Sequence, residues 1–337
     1  MFSRILLFPA LLMGFFSHSQ ALTGTVLDYN TQEPIEAVSV YFDNSTVGTI
    51  TDANGHFSLD YSEAIKSPLI VSFLGYKSEV ITDYRSKENI TVLLKESIDA
   101  LEEVVIRVDD GLTRAQKLFV FKREFLGESK FARSCKILNE DDLILNYFKN
   151  ERKLNVRAKS PIIIRNESLQ YEVSYDISFF EIDFINVVLE DDYEIFDVRT
   201  VTYAGTTFYK KLEDFNKKVA IRNREQAYKG SVHQFMKSLY HGNLKENHYK
   251  IYDTKFLVNP EDYINLSYSD RPELKTLKLL KPITILYDNE KKSGMKLKTP
   301  YILIDKFGHY SNPTEVEFTG FMGKQRLGDL LPLDYTL

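Results

Sequence analysis

The first hundred residues consist of short runs in which apolar and polar side chains alternate, separated by turn-forming residues. In TVGTITDANGHFSL (residues 46–59) the alternation is interrupted by DANG (52–55) and then resumes. Asparagine followed by glycine readily adopts positive φ, and an aspartate two residues earlier can accept hydrogen bonds from the turn amides. We therefore predict a hairpin here, with Gly55 at positive φ and with Phe57 and Leu59 facing the core.

Further runs of the same kind lie on both sides of this turn. They are LTGTVLD, AVSVYF, LIVSFLGYKSEVI (broken at Gly75) and NITVLLK. Six or seven short strands at near-regular spacing are typical of a small β-sandwich. Residues 22–107 are therefore predicted to form one such domain.

The strands and turns of this segment also resemble a known family. GTVLDYNTQEPIEAVSVYFDNSTVGTITDANGHFSL, followed by LIVSFLGYKSEVI and LEEVVI, is similar to the carboxypeptidase-regulatory-like domain of Bacteroidota envelope proteins. The resemblance implies a seven-stranded, transthyretin-like sandwich. It also implies an accessory module, because this domain accompanies carboxypeptidases without carrying their catalytic residues.

Residues 1–21 have the three regions of a secretory signal peptide. Arg4 precedes an apolar run, and Ser19-Gln20-Ala21 places small residues at a cleavage site after Ala21. The apolar run is too short to anchor the chain across a bilayer, and Leu22 stands where a lipoprotein would need cysteine. We therefore expect an exported mature chain without a transmembrane segment, located in the periplasm, at the outer membrane or outside the cell.

The chain contains a single cysteine, Cys135, so no intramolecular disulfide can form. Two interpretations remain open for it: a small apolar side chain in the core, or a reactive thiol. The reactive thiol would need surroundings that lower its pKa, and the sequence does not reveal them.

The sequence changes in character after a polar joint at residues 109–111. Apolar residues then recur at the spacing of a helix, at Ala115, Leu118, Phe119, Phe125 and Leu126. Gly127 can end this helix. Residues 108–127 are therefore predicted to be a linker followed by a helix.

Residues 128–337 are rich in β-prone and aromatic segments, from LILNYFKN to TEVEFTG. One further helix is predicted by apolar residues at helical spacing before Gly242, namely Tyr228, Val232, Phe235, Met236 and Leu239. The region is predicted to be an α+β domain of unknown function, with a largely antiparallel sheet and about two helices when the preceding one is included. The whole chain is predicted to be mostly β. In many relatives of the N-terminal domain the LEEVVI-like tail leads into an outer-membrane receptor, but the helical segments after Arg107 argue against a TonB-dependent receptor.

Three segments of this second region carry a second resemblance. FLGESKFARSCKILNEDDL, NREQAYKGSVHQFMKSL and GFMGKQRLGDLLPLDY are similar to segments of uncharacterised Bacteroidota envelope proteins that also contain the sandwich. The resemblance implies a compartment and an architecture, and it implies no activity.

The spacings that define familiar catalytic and metal sites are not recognisable in the sequence. Ser231 and His233 are two residues apart on a predicted helix, so their side chains point in different directions. The segment YKGSVHQ lacks the second glycine of a nucleophile elbow. His233, His241 and His248 do not have the spacing of a compact metal motif, and the phosphate-binding glycine patterns are missing. We therefore expect no metal and no cofactor.

The charge distribution argues against nucleic acid as a partner. The chain has 43 basic and 48 acidic residues and a net charge of −5, without the basic excess of a nucleic-acid binder. The acidic clusters at residues 140–142 and 190–192 do not continue as calcium-binding loops and are predicted to be solvated turns.

One basic cluster is a candidate contact for an anion or another ligand. Arg222, Arg224, Lys229 and Lys237 surround the start and the polar face of the second predicted helix. Arginines and free backbone amides near a helix N-terminus can hold an anion. A basic face of a helix is also commonly just solvated, and both interpretations remain open.

Two functions remain open from the sequence. The first is a non-enzymatic envelope protein that binds a glycan, a peptidoglycan fragment or another protein. The second is an envelope hydrolase whose carboxylates come from distant positions. The sequence favours the binding role. A cleft with facing carboxylates of raised pKa would favour the hydrolase, whereas a shallow apolar patch with a polar rim would favour binding.

Overall fold

The computed structural model describes residues 20–62, 65–87, 89–97, 111–190, 192–271 and 273–335. The predicted signal peptide lies outside these residues, except for Gln20 and Ala21, which begin the first strand. The LEEVVI segment also lies outside them. Within these ranges no helix combines the length and the apolar character needed to cross a membrane.

Within the described ranges, seven short strands form the N-terminal sandwich. They are β1 (Gln20–Asp28), β2 (Ser39–Phe42), β3 (Gly48–Ile50), β4 (His56–Tyr61), β5 (Leu69–Ser72), β6 (Glu79–Ile81) and β7 (Asn89–Leu94). One sheet has the order β4-β1-β7 and the other has the order β3-β2-β5-β6. Apolar residues of both sheets meet between them, where Val26, Phe42 and Leu69 are fully buried. The predicted seven-stranded sandwich is confirmed.

The predicted hairpin at residues 46–59 is wrong, although its turn is correct. Asp52 Oδ1 accepts hydrogen bonds from Asn54 N and His56 N, both at 2.9 Å, and Gly55 has a φ of +72°. However, β3 pairs with β2, whereas β4 pairs with β1 in the other sheet. The turn therefore carries the chain from one sheet to the other. Which strands pair depends on the packing of the whole domain, and a local sequence pattern carries no information about that packing.

A second hydrophobic core lies between helix α1 and a six-stranded antiparallel sheet. The elements are α1 (Arg114–Leu126), β8 (Cys135–Ile137), β9 (Leu143–Phe148), β10 (Lys153–Ala158), β11 (Ile162–Asn166), β12 (Tyr171–Glu190) and β13 (Tyr193–Lys211). The sheet has the order β8-β11-β12-β10-β9, and β13 pairs with β12. Strands β12 and β13 form a long hairpin with bulges, two of which adjoin Phe184.

Helix α1 is confirmed, but its buried face differs from the predicted one. The helix ends at Gly127, which has a φ of +94°. Phe121 and Phe125 stack with ring centroids 5.1 Å apart and are fully buried against the sheet, whereas Ala115 and Phe119 are exposed. The helix is therefore oriented by Phe121 together with Phe125, and only part of the predicted stripe is buried.

Two helices replace the single helix predicted before Gly242. They are α2 (Lys217–Tyr228) and α3 (Val232–His241). Tyr228, which the spacing assigns to the later helix, is the last residue of α2. Gly230, with a φ of +77°, reverses the chain, and Ser231 caps α3. Gly242 ends α3 in the left-handed conformation, as predicted.

A third hydrophobic core is formed by α3 and two small antiparallel sheets. The elements are β14 (Tyr249–Asp253), β15 (Phe256–Leu257), β16 (Ile264–Tyr268), β17 (Leu274–Leu279), β18 (Ile283–Tyr287), β19 (Lys291–Leu297), β20 (Ile302–Asp305), β21 (Val316–Thr319) and the short helix α4 (Gly320–Gly323). The sheets have the orders β15-β14-β18-β19-β21 and β16-β17-β20. Residues 128–337, predicted as one domain, thus take part in two hydrophobic cores. The domain boundaries remain a prediction.

Short 3-10 turns complete the elements of the described ranges. They are Tyr84–Ser86, Ala132–Ser134, Glu140–Asp142, Pro260–Asp262, Pro313–Glu315 and Leu327–Asp329.

The sandwich contacts the long hairpin and the C-terminal segment directly. Tyr41 stacks against Phe208 of β13 with ring centroids 5.0 Å apart, and Asp43 Oδ1 accepts a hydrogen bond from Thr207 N at 2.7 Å. Asp334 near the C-terminus accepts hydrogen bonds from the backbone and side chain of Thr46 at 2.9 and 2.5 Å. These contacts connect the first core to the rest of the chain.

Cys135 is expected to react slowly with thiol reagents. It begins β8, and burial, followed by the charge of Asp329, raises the pKa of its thiol to about 12. At neutral pH almost no thiolate forms, and the thiolate is the reacting species. Modification by an aromatic disulfide reagent should therefore be slow in the native protein and fast after denaturation. Rapid modification of the native protein would instead support the reactive-thiol interpretation.

Candidate functional site

A cleft of about 720 Å³ lies where the second and third cores meet. Four parts of the chain line it: the end of α1 with its following loop (123–131), the end of α2 (226–227), the start of β19 (290–291) and the C-terminal segment 321–329. Three of these parts belong to FLGESKFARSCKILNEDDL, NREQAYKGSVHQFMKSL and GFMGKQRLGDLLPLDY. The fold therefore brings together, at one cleft, the three segments that carry the second resemblance.

Close backbone packing brings the C-terminal segment against the loop after α1. A Cβ atom on Gly127 would lie 3.0 Å from Cβ of Arg326, and one on Gly328 would lie 2.6 Å from Cα of Ala132. Asn166 Nδ2 also donates a hydrogen bond to Gly328 O at 3.0 Å, which attaches the segment to the sheet. Because these two glycines lack a Cβ atom, the C-terminal segment and the loop after α1 can pack closely together.

Lys291, the first residue of β19, occupies one wall and is partly buried. Its Nζ donates a hydrogen bond to Lys229 O at 2.6 Å and lies 4.5 Å from the centroid of the Phe321 ring. Gly230 makes room for it, since a Cβ atom there would lie 3.0 Å from Cδ of Lys291. The ammonium group is thus held by a carbonyl and an aromatic face.

Burial lowers the pKa of Lys291. The positive charges of Lys130 and Lys229 lower it further, while Glu290 and Asp288 act in the opposite direction. Lys130 lines the same cleft as Lys291.

The other cations of the cleft are held mainly by neutral groups. Lys130 Nζ donates to Gln226 Oε1 at 2.5 Å and lies 5.0 Å from the centroid of the Phe131 ring. Arg326 donates to the carbonyl groups of Gly323 and Gln325. Ion pairs are formed by Lys87, Lys122, Lys153, Lys229 and Lys281, and none of these five lysines lines the cleft.

Acidic side chains also line the cleft. Glu124 is paired with Arg123, whose Nε lies 2.7 Å from Glu124 Oε1. Glu128 and Glu290 are exposed at the rim. The cleft therefore has both signs of charge, with its carboxylates at the rim or already paired, apart from one buried aspartate.

Asp329 is that buried carboxylate. Burial raises its pKa, although hydrogen bonds from Ser129 and from the backbone of Arg326 act in the opposite direction. Its Oδ2 accepts the hydrogen bond from Arg326 N at 3.2 Å, which closes the turn that contains both residues. This arrangement gives Asp329 a structural role in shaping the cleft wall.

The structure places Arg224, one of the four candidate ligand contacts, in a packing role. Its guanidinium group lies 3.6 Å from the centroid of the Tyr171 ring. It donates hydrogen bonds to Leu169 O at 2.8 Å and Gln170 O at 3.0 Å, and the side chain is buried. These contacts fasten α2 to the start of β12.

The other three candidates do not share one helix end. Arg222 is exposed in the middle of α2, and Lys237 lies on α3. Lys229 follows α2 and pairs with Glu225 at 2.6 Å. Its carbonyl, rather than its ammonium group, contributes to the cleft by binding Lys291. The anion contact at these four residues remains a prediction.

The histidine considered as a base, His233, is packed against a turn. Its Nε2 lies 2.7 Å from Phe307 O, and burial lowers its pKa to about 4, so it is neutral at pH 7. His309 Nδ1 lies 3.0 Å from Asp305 Oδ2 in the same turn. In the described part of the chain, His, Cys, Asp and Glu side chains do not gather in groups of three or more that could hold a metal ion.

A second depression, of about 530 Å³, lies on the third core. Leu257 and Leu280 are 63% and 74% exposed there, and Tyr263, Asp262 and Lys281 are among the other residues that line it. A shallow apolar patch with a polar rim is typical of binding surfaces.

The sequence analysis missed the cleft residues Lys130, Lys291 and Arg326. They lie far apart along the chain, and each one alone is an ordinary surface-type residue. Lys130 and Arg326 lie within segments of the second resemblance, which remains a prediction, and Lys291 lies outside all three segments.

Comparison with known proteins identifies the N-terminal sandwich. Residues 22–106 match the family of the CarboxypepD_reg-like domain. The match confirms the predicted carboxypeptidase-regulatory-like domain.

One similar protein is the TonB-dependent receptor SusC of Bacteroides thetaiotaomicron. It is 32% identical over 91 residues, which are 27% of this chain and 8% of the receptor. The chain therefore corresponds to only a small part of that relative's length. The two matches suggest an envelope-associated protein, and the resemblance of the C-terminal region remains a prediction.

Among solved structures, a 9R-lipoxygenase from Cyanothece PCC8801 matches with a TM-score of 0.20 and 10% identity. The match covers 62% of this chain and 44% of the lipoxygenase chain. A TM-score this low carries no argument about fold or function.

Proposed function

We propose that the chain is an exported cell-envelope protein that acts by binding, and that the cleft between its second and third cores is the ligand site. The ligand is a glycan, a peptidoglycan fragment or a segment of another protein. The site of action is the periplasm or the outer-membrane surface. The CarboxypepD_reg-like sandwich and the similarity to part of SusC support the envelope assignment.

The observation that carries the proposal is the composition of the cleft. Its lysines are held by a carbonyl, an amide oxygen and aromatic faces, so they keep donors available for a ligand. A concave site with a few convergent polar groups and apolar surface beside them is the usual form of a ligand pocket. The shallow apolar patch on the third core is consistent with the same binding role.

An envelope hydrolase is the alternative function, and Asp329 is the observation in its favour. Its carboxyl group is buried in the cleft and has a raised pKa, as a general acid requires. However, one of its oxygens is engaged by the turn, and the remaining carboxylates of the cleft are paired or lie at the rim. This arrangement favours binding over acid–base chemistry.

Blocking the cleft is expected to abolish ligand binding. Gln226 is exposed and lines the cleft, so Gln226→Trp fills part of its volume without altering a core. We expect the unaltered protein to bind muropeptides, envelope oligosaccharides or peptides saturably in calorimetric titrations, and Gln226→Trp to lose that binding.

The matched control is Asn265→Trp, an equally bulky change at an exposed position of β16 outside the cleft. It should bind like the unaltered protein. Equal binding by all three proteins would place the ligand elsewhere, and the lack of saturable binding to every probe class would contradict the proposed function.

A further inference from the structure

We infer that the cleft holds an anionic group, a carboxylate or a phosphate, between the ammonium groups of Lys130 and Lys291. The inference rests on the proposed function and specifies the chemistry of the ligand. It depends on four features of the cleft: the placement of the two lysines, their partners, the aromatic rings beside them and the location of the acidic groups.

The two lysines come from different parts of the cleft lining, the loop after α1 and the start of β19, and each donates to one neutral acceptor. Lys291 donates to the carbonyl group of Lys229, and Lys130 donates to the amide oxygen of Gln226. An ammonium group has three donors, so both retain hydrogen atoms for a ligand. Because the acceptors are neutral, the positive charges remain uncompensated by these contacts.

An aromatic ring lies beside each ammonium group, Phe321 beside Lys291 and Phe131 beside Lys130. Lys291 is partly buried, whereas Lys130 is exposed. Charge-assisted hydrogen bonds are stronger in partly dehydrated surroundings than at an open surface. A bound anion should therefore gain more stabilisation from Lys291 than from Lys130.

The charges around Lys291 favour an anion at this point. Burial and the charges of Lys130 and Lys229 disfavour its protonated form, while Glu290 and Asp288 favour it. An anion placed between Lys130 and Lys291 removes their mutual repulsion and favours the protonated form of Lys291. The affinity for the anion should therefore fall as the pH rises through the pKa of Lys291, which lies below that of an ordinary lysine.

The acidic residues favour a ligand that has a single anionic group over a ligand with many negative charges. Glu128 and Glu290 lie at the rim, where they would repel the neighbouring charges of an extended polyanion. Glu124 already forms an ion pair with Arg123. The expected ligand therefore has one carboxylate or phosphate next to neutral or positively charged parts.

The test is an amide NMR titration of the full chain with two probes, sodium acetate and inorganic phosphate. We expect saturable shifts in the loop after α1, at residues 229–231 and at the start of β19. Lys291→Gln and Lys130→Gln should each weaken binding about tenfold or more, because each removes one charged hydrogen bond. A preference for acetate would identify a carboxylate ligand, and a preference for phosphate would identify a phosphate ligand.

Lys278→Gln, an exposed substitution on β17 outside the cleft, is the matched control and should leave the affinity unchanged. In the unaltered protein, the affinity for acetate should fall as the pH rises. In Lys291→Gln, most of this pH dependence should be lost. The inference is overturned if neither probe shifts the cleft amides saturably, or if the two cleft variants bind like the control. Muropeptide or oligosaccharide binding that Gln226→Trp abolishes would still support the proposed function in that case.

Discussion

Replacing Phe235 with alanine should destabilise the third core by about 3–5 kcal/mol, the usual cost of deleting a buried aromatic side chain. Phe235 is fully buried in α3 and packs against Tyr249 of β14, with ring centroids 5.2 Å apart. Met236 and Leu239 of the same helix are also buried there, so the surrounding side chains have little freedom to fill the cavity. Chemical denaturation of the full chain, with hydrogen exchange of the β14 and β18 amides, measures the effect.

Phe256→Ala is the matched control in the same part of the chain. Phe256 lies on β15 and is 77% exposed, so its removal leaves no cavity. We expect a change close to zero in the free energy of unfolding and in amide exchange. Similar stability losses for both variants would mean that α3 is not held by the core around Phe235.

Replacing Gly55 with valine should destabilise the sandwich by about 2–4 kcal/mol, because two separate costs add. Gly55 has a φ of +72°, which a β-branched residue adopts only with strain. A Cβ atom at this position would also lie 2.5 Å from the carbonyl oxygen of Val26. That approach would disturb β1, since Val26 N donates a hydrogen bond to Gly55 O. Denaturation and hydrogen exchange of the β1 and β4 amides report the loss.

The variant Gly75→Val separates the cost of the backbone conformation from the cost of the steric clash. Gly75 has a φ of +87°, but a Cβ atom there would meet nothing within 4 Å. Only the conformational cost of about 1–2 kcal/mol is expected at this turn. If Gly55→Val is no more harmful than Gly75→Val, the close approach to Val26 does not contribute to the stability of the sandwich.

Local features of the fold were predictable because their causes lie within a few residues. The positive φ of Gly55 follows from the turn DANG, and the end of α3 at Gly242 follows from a glycine placed after a helical pattern. The pairing of β3 and β4 with different sheets was not predictable in this way, because it depends on which strands the whole sandwich aligns. Sequence similarity to a family predicted the seven strands correctly, but it did not predict that β3 and β4 pair in different sheets.

Helix α2 was missed because its sequence lacks a broad apolar stripe. Its buried residues are Ala220, Arg224, Ala227 and Tyr228, of which Arg224 is charged. Stacking on Tyr171 and two carbonyl acceptors allow that arginine to be buried, and none of these partners is visible from the spacing within the helix. Tyr228 was assigned to α3 for the same reason: without a recognisable α2, its spacing fits the apolar residues of the following helix.

The candidate cleft was not predictable from residue spacing at all. Lys130 and Lys291 are 161 positions apart in the sequence, and they line one cleft because the loop after α1, the start of β19 and the C-terminal segment meet in the folded chain. Because catalytic and binding groups of this kind converge through tertiary structure, the lack of a catalytic motif in the sequence was weak evidence about the site.

The central claim is that the protein binds an envelope ligand without converting it. The most direct measurement is prolonged incubation of the protein with muropeptides, envelope oligosaccharides and peptides, followed by mass spectrometry of the recovered molecules. The account predicts that the bound ligand is recovered intact, with no product above the level found with Gln226→Trp. Reproducible cleavage that Asp329→Asn abolishes, in a variant that remains folded, would contradict the account and establish the hydrolase alternative.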